Sequence, residues 1–352
     1  MRNKWMLLVI ALSMTACSGT QSEVIEVTRI VEVTRIVTQE EAVDTISAEN
    51  QVEHPGALES TTMIAGCPIF PADNIWNTRV DGLPVHPRSA EYINTIGASD
   101  KLHPDFGSGT WDGKPIGIPF NIVSEARNWV EIAFDYADES DPGPYPVPEN
   151  PLIEGGPNSD GDRHILILDT TDCILYEIYA AWPDGDGGWW GGSGAVFDLT
   201  SNDLRPDSWT SSDAAGLPIL PGLIRYEEVE AGKITHAIRM TAPQTQRAYL
   251  WPARHFASTI EDPAYPPMGV RFRLKAYFDL SGFSPEVQII LQAMKEYGLI
   301  LADNGAPWFI GGVPDERWDN HILGEIKSIP GSAFEAVDVS TLIVSPDSGA
   351  TR

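Results

Sequence analysis

Asp162, Arg163 and His164 stand in a row before four apolar residues, Ile165 to Leu168, and Asp169 closes the run. An acid, a fixed cation and an imidazole at the lip of a buried strand allow three outcomes: proton transfer on a substrate, binding of an ion, or closure of a sheet end by ion pairs. Two more histidines adjoin strand-like runs. His236 alternates with Ile234 and Ile238, and His255 follows Arg254 in "WPARHF". Asp303 ends the apolar run of "LILAD". If Asp162, His164, His236, His255 and Asp303 converge in one open pocket, they form an acid/base site with shifted pKa values. If they do not, each is a hydrogen-bonded core or sheet-end residue, because burying such groups is costly unless they are paired.

Arg163, Arg239 and Arg254 lie in or beside the same runs and are candidates for substrate binding. So are Trp189 and Trp190 in "GDGGWWGGSG". Paired carboxylates flanked by aromatic platforms suit glycoside chemistry. Rings that face solvent stack on sugars; rings that face inward fill the core. Asn158, Asp160 and Asp162 alternate as calcium ligands do. Gly161 is misplaced for a helix–loop–helix calcium site, and Asn, Asp and Gly also make plain turns. Calcium is therefore the one cofactor the sequence suggests, with a simple turn as the alternative. HExxH, a HxH pair, CxxC and a phosphate-binding loop are all absent. "GGSGA" at 191–195 fails the nucleophile-elbow pattern, since its last residue is Ala195 and a strand follows it.

The elements that must position these residues lie in a chain with a distinct start. Arg2 and Lys4 precede the apolar run Met6–Leu12, which is too short for a permanent membrane span. Residues 1–16 read as an export signal. "SMTAC" resembles the lipobox of bacterial lipoproteins, which implies lipid on Cys17 and anchoring at the cell surface or the periplasmic face of a membrane. Of three cysteines, Cys67 and Cys173 then remain as an even pair in an oxidising compartment. A disulfide is expected, with two buried thiols as the alternative. The formal net charge of −27 excludes nucleic acid and anionic head groups as electrostatic partners.

Residues 17–62 read as a largely disordered stalk. It carries the repeat Glu26–Val31 and Glu32–Val37, whose period of six fits no coiled-coil seam. Residues 63–343 read as one β-rich domain and 344–352 as a disordered tail. Strands are expected over 115–123, 128–136, 163–169, 173–181, 194–199, 233–241, 247–256, 269–279, 298–303 and 307–311. The segments 163–169 and 173–181, joined by "TTD", form a hairpin. Helices are expected after Ser284-Pro285, over 89–96, and after Asp319. Long Gly/Pro-rich loops separate these elements. The pattern predicts a mainly β fold, an antiparallel sandwich or barrel-like domain with a few peripheral helices.

"TSSDAAGLPILPGLIRYEEVEAGKITHAIRM", "WPARH", "PPMGVRFRLKA" and "YGLILADNG" resemble a family of secreted bacterial proteins with no assigned activity. The resemblance, over about 66–340, implies one folding unit outside the cytoplasm and no particular reaction. The sequence as a whole predicts a surface protein that recognises or processes extracellular carbohydrate, by hydrolase or lyase chemistry if it is an enzyme. The alternative is a non-catalytic binding or scaffold protein stiffened by calcium.

Overall fold

The computed structural model describes residues 62–125 and 127–352. Cys17, the signal and the six-residue repeat lie outside the described residues. Two open β-sheets carry most of the core. The four-stranded sheet runs Ser193–Asp198, Ile174–Tyr179, Ile165–Asp169, Phe120–Val123. The six-stranded sheet runs Phe334–Val337, Arg271–Leu274, Leu299–Asn304, Ile238–Ala242, Phe309–Gly311, His103–Asp105. Neither closes on itself, so the arrangement is sandwich-like rather than a barrel. Most neighbouring strands in both sheets are antiparallel, as expected, but each sheet also carries parallel pairs. Phe120–Val123 pairs parallel with Ile165–Asp169, and Ile238–Ala242 pairs parallel with Leu299–Asn304.

The unbroken apolar run Ile165–Leu168 is explained by cover on both faces. Leu166 and Leu168 join the main core shared with the six-stranded sheet. Ile165 and Ile167 join a second cluster with Val130, Tyr145 and Ile178. That outer layer is completed by a small sheet of Trp182–Pro183, Trp189–Gly191 and Ile132–Phe134. The expected hairpin is present, with Ile165 opposite Ile178 and Asp169 opposite Ile174. It continues past the strands: the Ala180 N–H donates to the Asp162 carbonyl at 2.9 Å.

Cys67 and Cys173 form a disulfide across 106 residues of chain. Helix Pro285–Glu296 packs Val287, Ile290, Leu291 and Met294 inward. Helix Asn320–Leu323 is capped by the Asp319 carboxylate, which accepts from the His321 and Ile322 N–H groups. Two expectations fail. Residues 247–256 form no strand: Pro252 has no N–H to offer a ladder, and the Ala253 N–H turns back to the Leu250 carbonyl. Residues 344–352 are not a loose tail. Asn74 bridges Ala350, Asp203 bridges Ser348, and Arg254 donates to the Pro346 carbonyl. Among the described residues no helix is long and apolar enough to cross a membrane.

Candidate functional site

Residues of both sheets line a cleft. It comprises cavities of 740 Å³, 420 Å³ and 130 Å³, and Asp162 lines all three. From the four-stranded sheet the cleft receives Tyr179 and Ser193, opposite each other at the ends of their strands. His164 precedes the neighbouring strand and tilts against Tyr179, with ring centres 5.6 Å apart. From the six-stranded sheet it receives Arg239 and Asp303. The parallel pair that carries them is irregular. Met240 lies opposite Leu301 but Thr241 lies opposite Asp303, so Ala302 is an extra residue. A bulge of this kind re-aims the side chain that follows, and here it sends Asp303 into the cleft.

The electrostatics are set by burial. Asp213, fully buried, receives Arg239 Nε at 2.6 Å and Nη2 at 2.8 Å. Asp303 obtains only a 3.4 Å contact from the same guanidinium. Desolvation, then the charge on Asp213, pushes the Asp303 carboxyl up to about 7; Arg239 opposes this only in part. Asp105 is raised in the same direction, first by desolvation and then by Glu154. His164 is buried between two acceptors, Glu154 Oε2 at 2.6 Å from Nδ1 and the Ser212 carbonyl at 2.9 Å from Nε2. Desolvation alone would lower its pKa. Glu154 outweighs that and holds the imidazolium up to about 9. Glu154 is held below the usual carboxylate range; its own burial opposes this, and His164 overcomes it. Below the cleft, Glu177 is fully buried and accepts N–H groups from Ile219 and Leu220.

Four of the five expected catalytic residues are therefore at the cleft: Asp162, His164, His255 and Asp303. His255 Nδ1 is 2.9 Å from the Ala214 carbonyl, and Nε2 is 3.7 Å from Glu139. His236 is not there. It is wholly buried, with Nε2 3.0 Å from Glu228 and Nδ1 2.8 Å from the Ala237 carbonyl, and lines none of the three cavities. The alternation that placed it on a strand face misleads, because the strand begins only at Ile238.

Of the five expected substrate-binding residues, only Arg239 lines the cleft. Arg163 is turned away. Its guanidinium donates to the carbonyls of Ala181, Pro157 and Ser159 and lies under the Trp182 ring, 3.6 Å from the centroid. Arg254 fastens the C-terminal segment through Pro346 and Asp347. Trp189 packs inward on the outer core layer, and Trp190 faces solvent; neither lines a cleft cavity. The Asp/Gly turn does not gather as a calcium loop. Asp160 pairs with Lys114, Asn158 is exposed, and Asp162 points to the cleft. Among the described residues, no three His, Cys, Asp or Glu side chains are placed to hold a metal ion.

The residues missed were Asp105, Glu154, Ser212 and Asp213. Asp213 had a signal: a single acid in "SSDAAGLPILPGLI", a run otherwise too apolar to leave a charge unpaired. Ser212 Oγ is buried at the cleft with no hydrogen-bond partner among the described residues. Ser193 Oγ donates to the Ser211 carbonyl at 2.6 Å, so it is not poised by a base.

The fold and site define an open, mixed β-sheet protein with an acidic cleft lined from both sheets. Comparison of the chain with family models, curated proteins and solved structures gave no match.

Proposed function

We propose that this protein is exported, tethered through lipid on Cys17, and processes extracellular carbohydrate by acid/base chemistry of the hydrolase or lyase type. The observation that carries the reading is Asp303. It is a carboxyl with a pKa of about 7, in an open cleft that Asp162 also lines. A group that exchanges a proton near neutral pH suits proton transfer to or from a sugar oxygen or carbon. Arg239 and Asp213 fix its surroundings, and the bulge fixes its direction. The Ser212 hydroxyl offers an unfilled hydrogen bond at the wall of the same cavity, as a ligand rich in hydroxyls requires. The rims supply Tyr136 and Tyr179.

The test is turnover of a panel of neutral and acidic oligosaccharides by the wild type and D303N, read as new reducing ends and as unsaturated products. The expected result is turnover by the wild type and its loss in D303N without any loss of stability. Binding without turnover in both proteins assigns the cleft to a non-catalytic receptor instead. Mass spectrometry of the mature N-terminus tests the tether: any terminus other than a lipid-modified Cys17 removes it.

A further inference from the structure

Trp182 and Trp190 are direct partners on neighbouring antiparallel strands. Such partners project from the same side of a sheet, their side chains rooted about 5 Å apart. The next residue in that row is Ala133, the parallel partner of Trp190, which is too small to cover either ring. Ile132 and Trp189 face the opposite way, onto the core. Two indoles are thus left side by side at 46% and 55% exposure. Trp182 is held in place by the Arg163 guanidinium, itself fastened to three carbonyls. Nothing comparable occupies Trp190 among the described residues.

We infer that Trp182 and Trp190 form a stacking shelf for the sugar rings of a neutral polysaccharide, outside the cleft and near its rim. This rests on the carbohydrate reading of the cleft and extends it from a short ligand to a polymer. The size of the shelf argues for a flat, small-featured occupant. Two half-exposed indoles offer about 250 Å² at most, whereas a stable protein partner takes about 800 Å² per side. Its charge argues against an anionic polymer or membrane. Glu131, Asp184 and Asp186 are exposed beside it, and the chain carries −27. A pyranose chain presents apolar C–H faces to rings and hydroxyls to such a carboxylate rim. Nearness to the cleft comes through Asp162, which lines every cleft cavity and whose carbonyl accepts from the N–H of Ala180, two residues before Trp182.

The experiment is affinity electrophoresis of the full chain through gels holding soluble β-glucan, xylan or galactomannan. Wild type, W190A and W190F are compared, with sizing and melting alongside. Retardation of the wild type by at least one polymer is expected. W190A should bind that polymer about tenfold more weakly, as loss of one ring stack implies. W190F should keep most of the affinity. Wild type that migrates freely in all three gels overturns the shelf, as does W190A retarded like the wild type. A wild-type dimer that W190A splits into monomers overturns it in favour of a second copy of the chain. Oligosaccharide turnover is scored separately: its absence removes the catalytic reading of the cleft and leaves a Trp190-dependent shelf standing.

Discussion

Asp213 takes Arg239 in a fork, Oδ2 to Nε at 2.6 Å and Oδ1 to Nη2 at 2.8 Å. The geometry consumes most of the guanidinium's capacity, because a bidentate pair is the strongest arrangement the two groups can make. Asp303, beside the same cation, is left with one long contact from it, the Asn304 N–H at 2.7 Å and a neighbouring negative charge. Burial first, and then the charge of Asp213, push this carboxyl up to about 7.

The first prediction concerns that carboxyl. With Asp303 as proton donor, turnover should fall as pH rises through about 7. D303N should lose about 10²–10⁴-fold of the rate, the usual worth of a positioned acid or base. D213N should shift the alkaline limb to lower pH, because it removes a repelling charge and frees Arg239 for Asp303. A limb that stays in place in D213N would show that Asp303 is not the titrating group.

Stability carries an independent signature of the same residue. The folded pKa of Asp303, about 7, lies above its unfolded value near 3.8. The folded state then holds a proton that the unfolded state has lost, and stability falls as pH rises between those values. Relative to wild type, D303N should therefore gain stability from pH 4 to 7 and show no further change above. Urea melts of both proteins across that range check the sign.

His164 should remain an imidazolium throughout this range. Both its ring nitrogens face acceptors, so the ring needs two protons to satisfy Glu154 and the Ser212 carbonyl. Its folded pKa, raised from 6.5 to about 9, contributes stability that is complete below 6.5 and lost as pH rises through 9. Glu154, with its pKa lowered, contributes stability that is lost as pH falls below the ordinary carboxylate range. Nuclear magnetic resonance of the His164 ring should show a titration well above that of a free imidazole; a midpoint near 6.5 would mean that Glu154 is not ionised beside it.

The disulfide gives a prediction about the whole domain. It joins the entry of the chain to the hairpin turn across 106 residues. In the chain-entropy model, a loop of that length limits the unfolded state by up to about 4–5 kcal/mol. The C67S/C173S double variant should unfold at markedly lower urea with the cleft's activity per folded molecule unchanged. An equal midpoint would show that the unfolded chain is already compact around this loop.

These residues also show what the sequence could disclose. The hairpin was legible because its two strands are close in the chain and joined by a short polar turn. The cysteine pairing followed from number and compartment. The bulge at Ala302 left no trace, since Leu299–Asp303 reads as an ordinary apolar strand with an acid at its end. Glu154 and Asp213 lie in long loops, and their partners, His164 and Arg239, lie 10 and 26 residues away. No local periodicity reports such pairings. Arg163 was misread for a related reason: its counterparts are backbone carbonyls, which every sequence supplies and none advertises.

His236 and His164 together offer a control for the whole assignment. Each is buried and each meets a glutamate, Glu228 and Glu154, at 3.0 Å and 2.6 Å. They differ in what lies beyond the pair. Glu228 belongs to a closed group with Arg225, whose Nη2 donates to the same carboxylate that faces His236. Glu154 opens onto the 740 Å³ and 130 Å³ cavities. Substituting either histidine by alanine leaves its glutamate short of a donor, with Glu228 buried and Glu154 partly exposed, which costs about 1–3 kcal/mol. Both H236A and H164A should therefore melt early. H236A should keep full activity and polymer binding per folded molecule, because its surroundings do not touch the cleft. H164A should lose activity beyond the loss of folded protein, since Glu154 and the Ser212 loop no longer have the cation that holds them at the cleft wall. Activity corrected for the folded fraction, measured well below the melting point of each variant, decides it. Equal losses in the two variants would return His164 to a purely structural role.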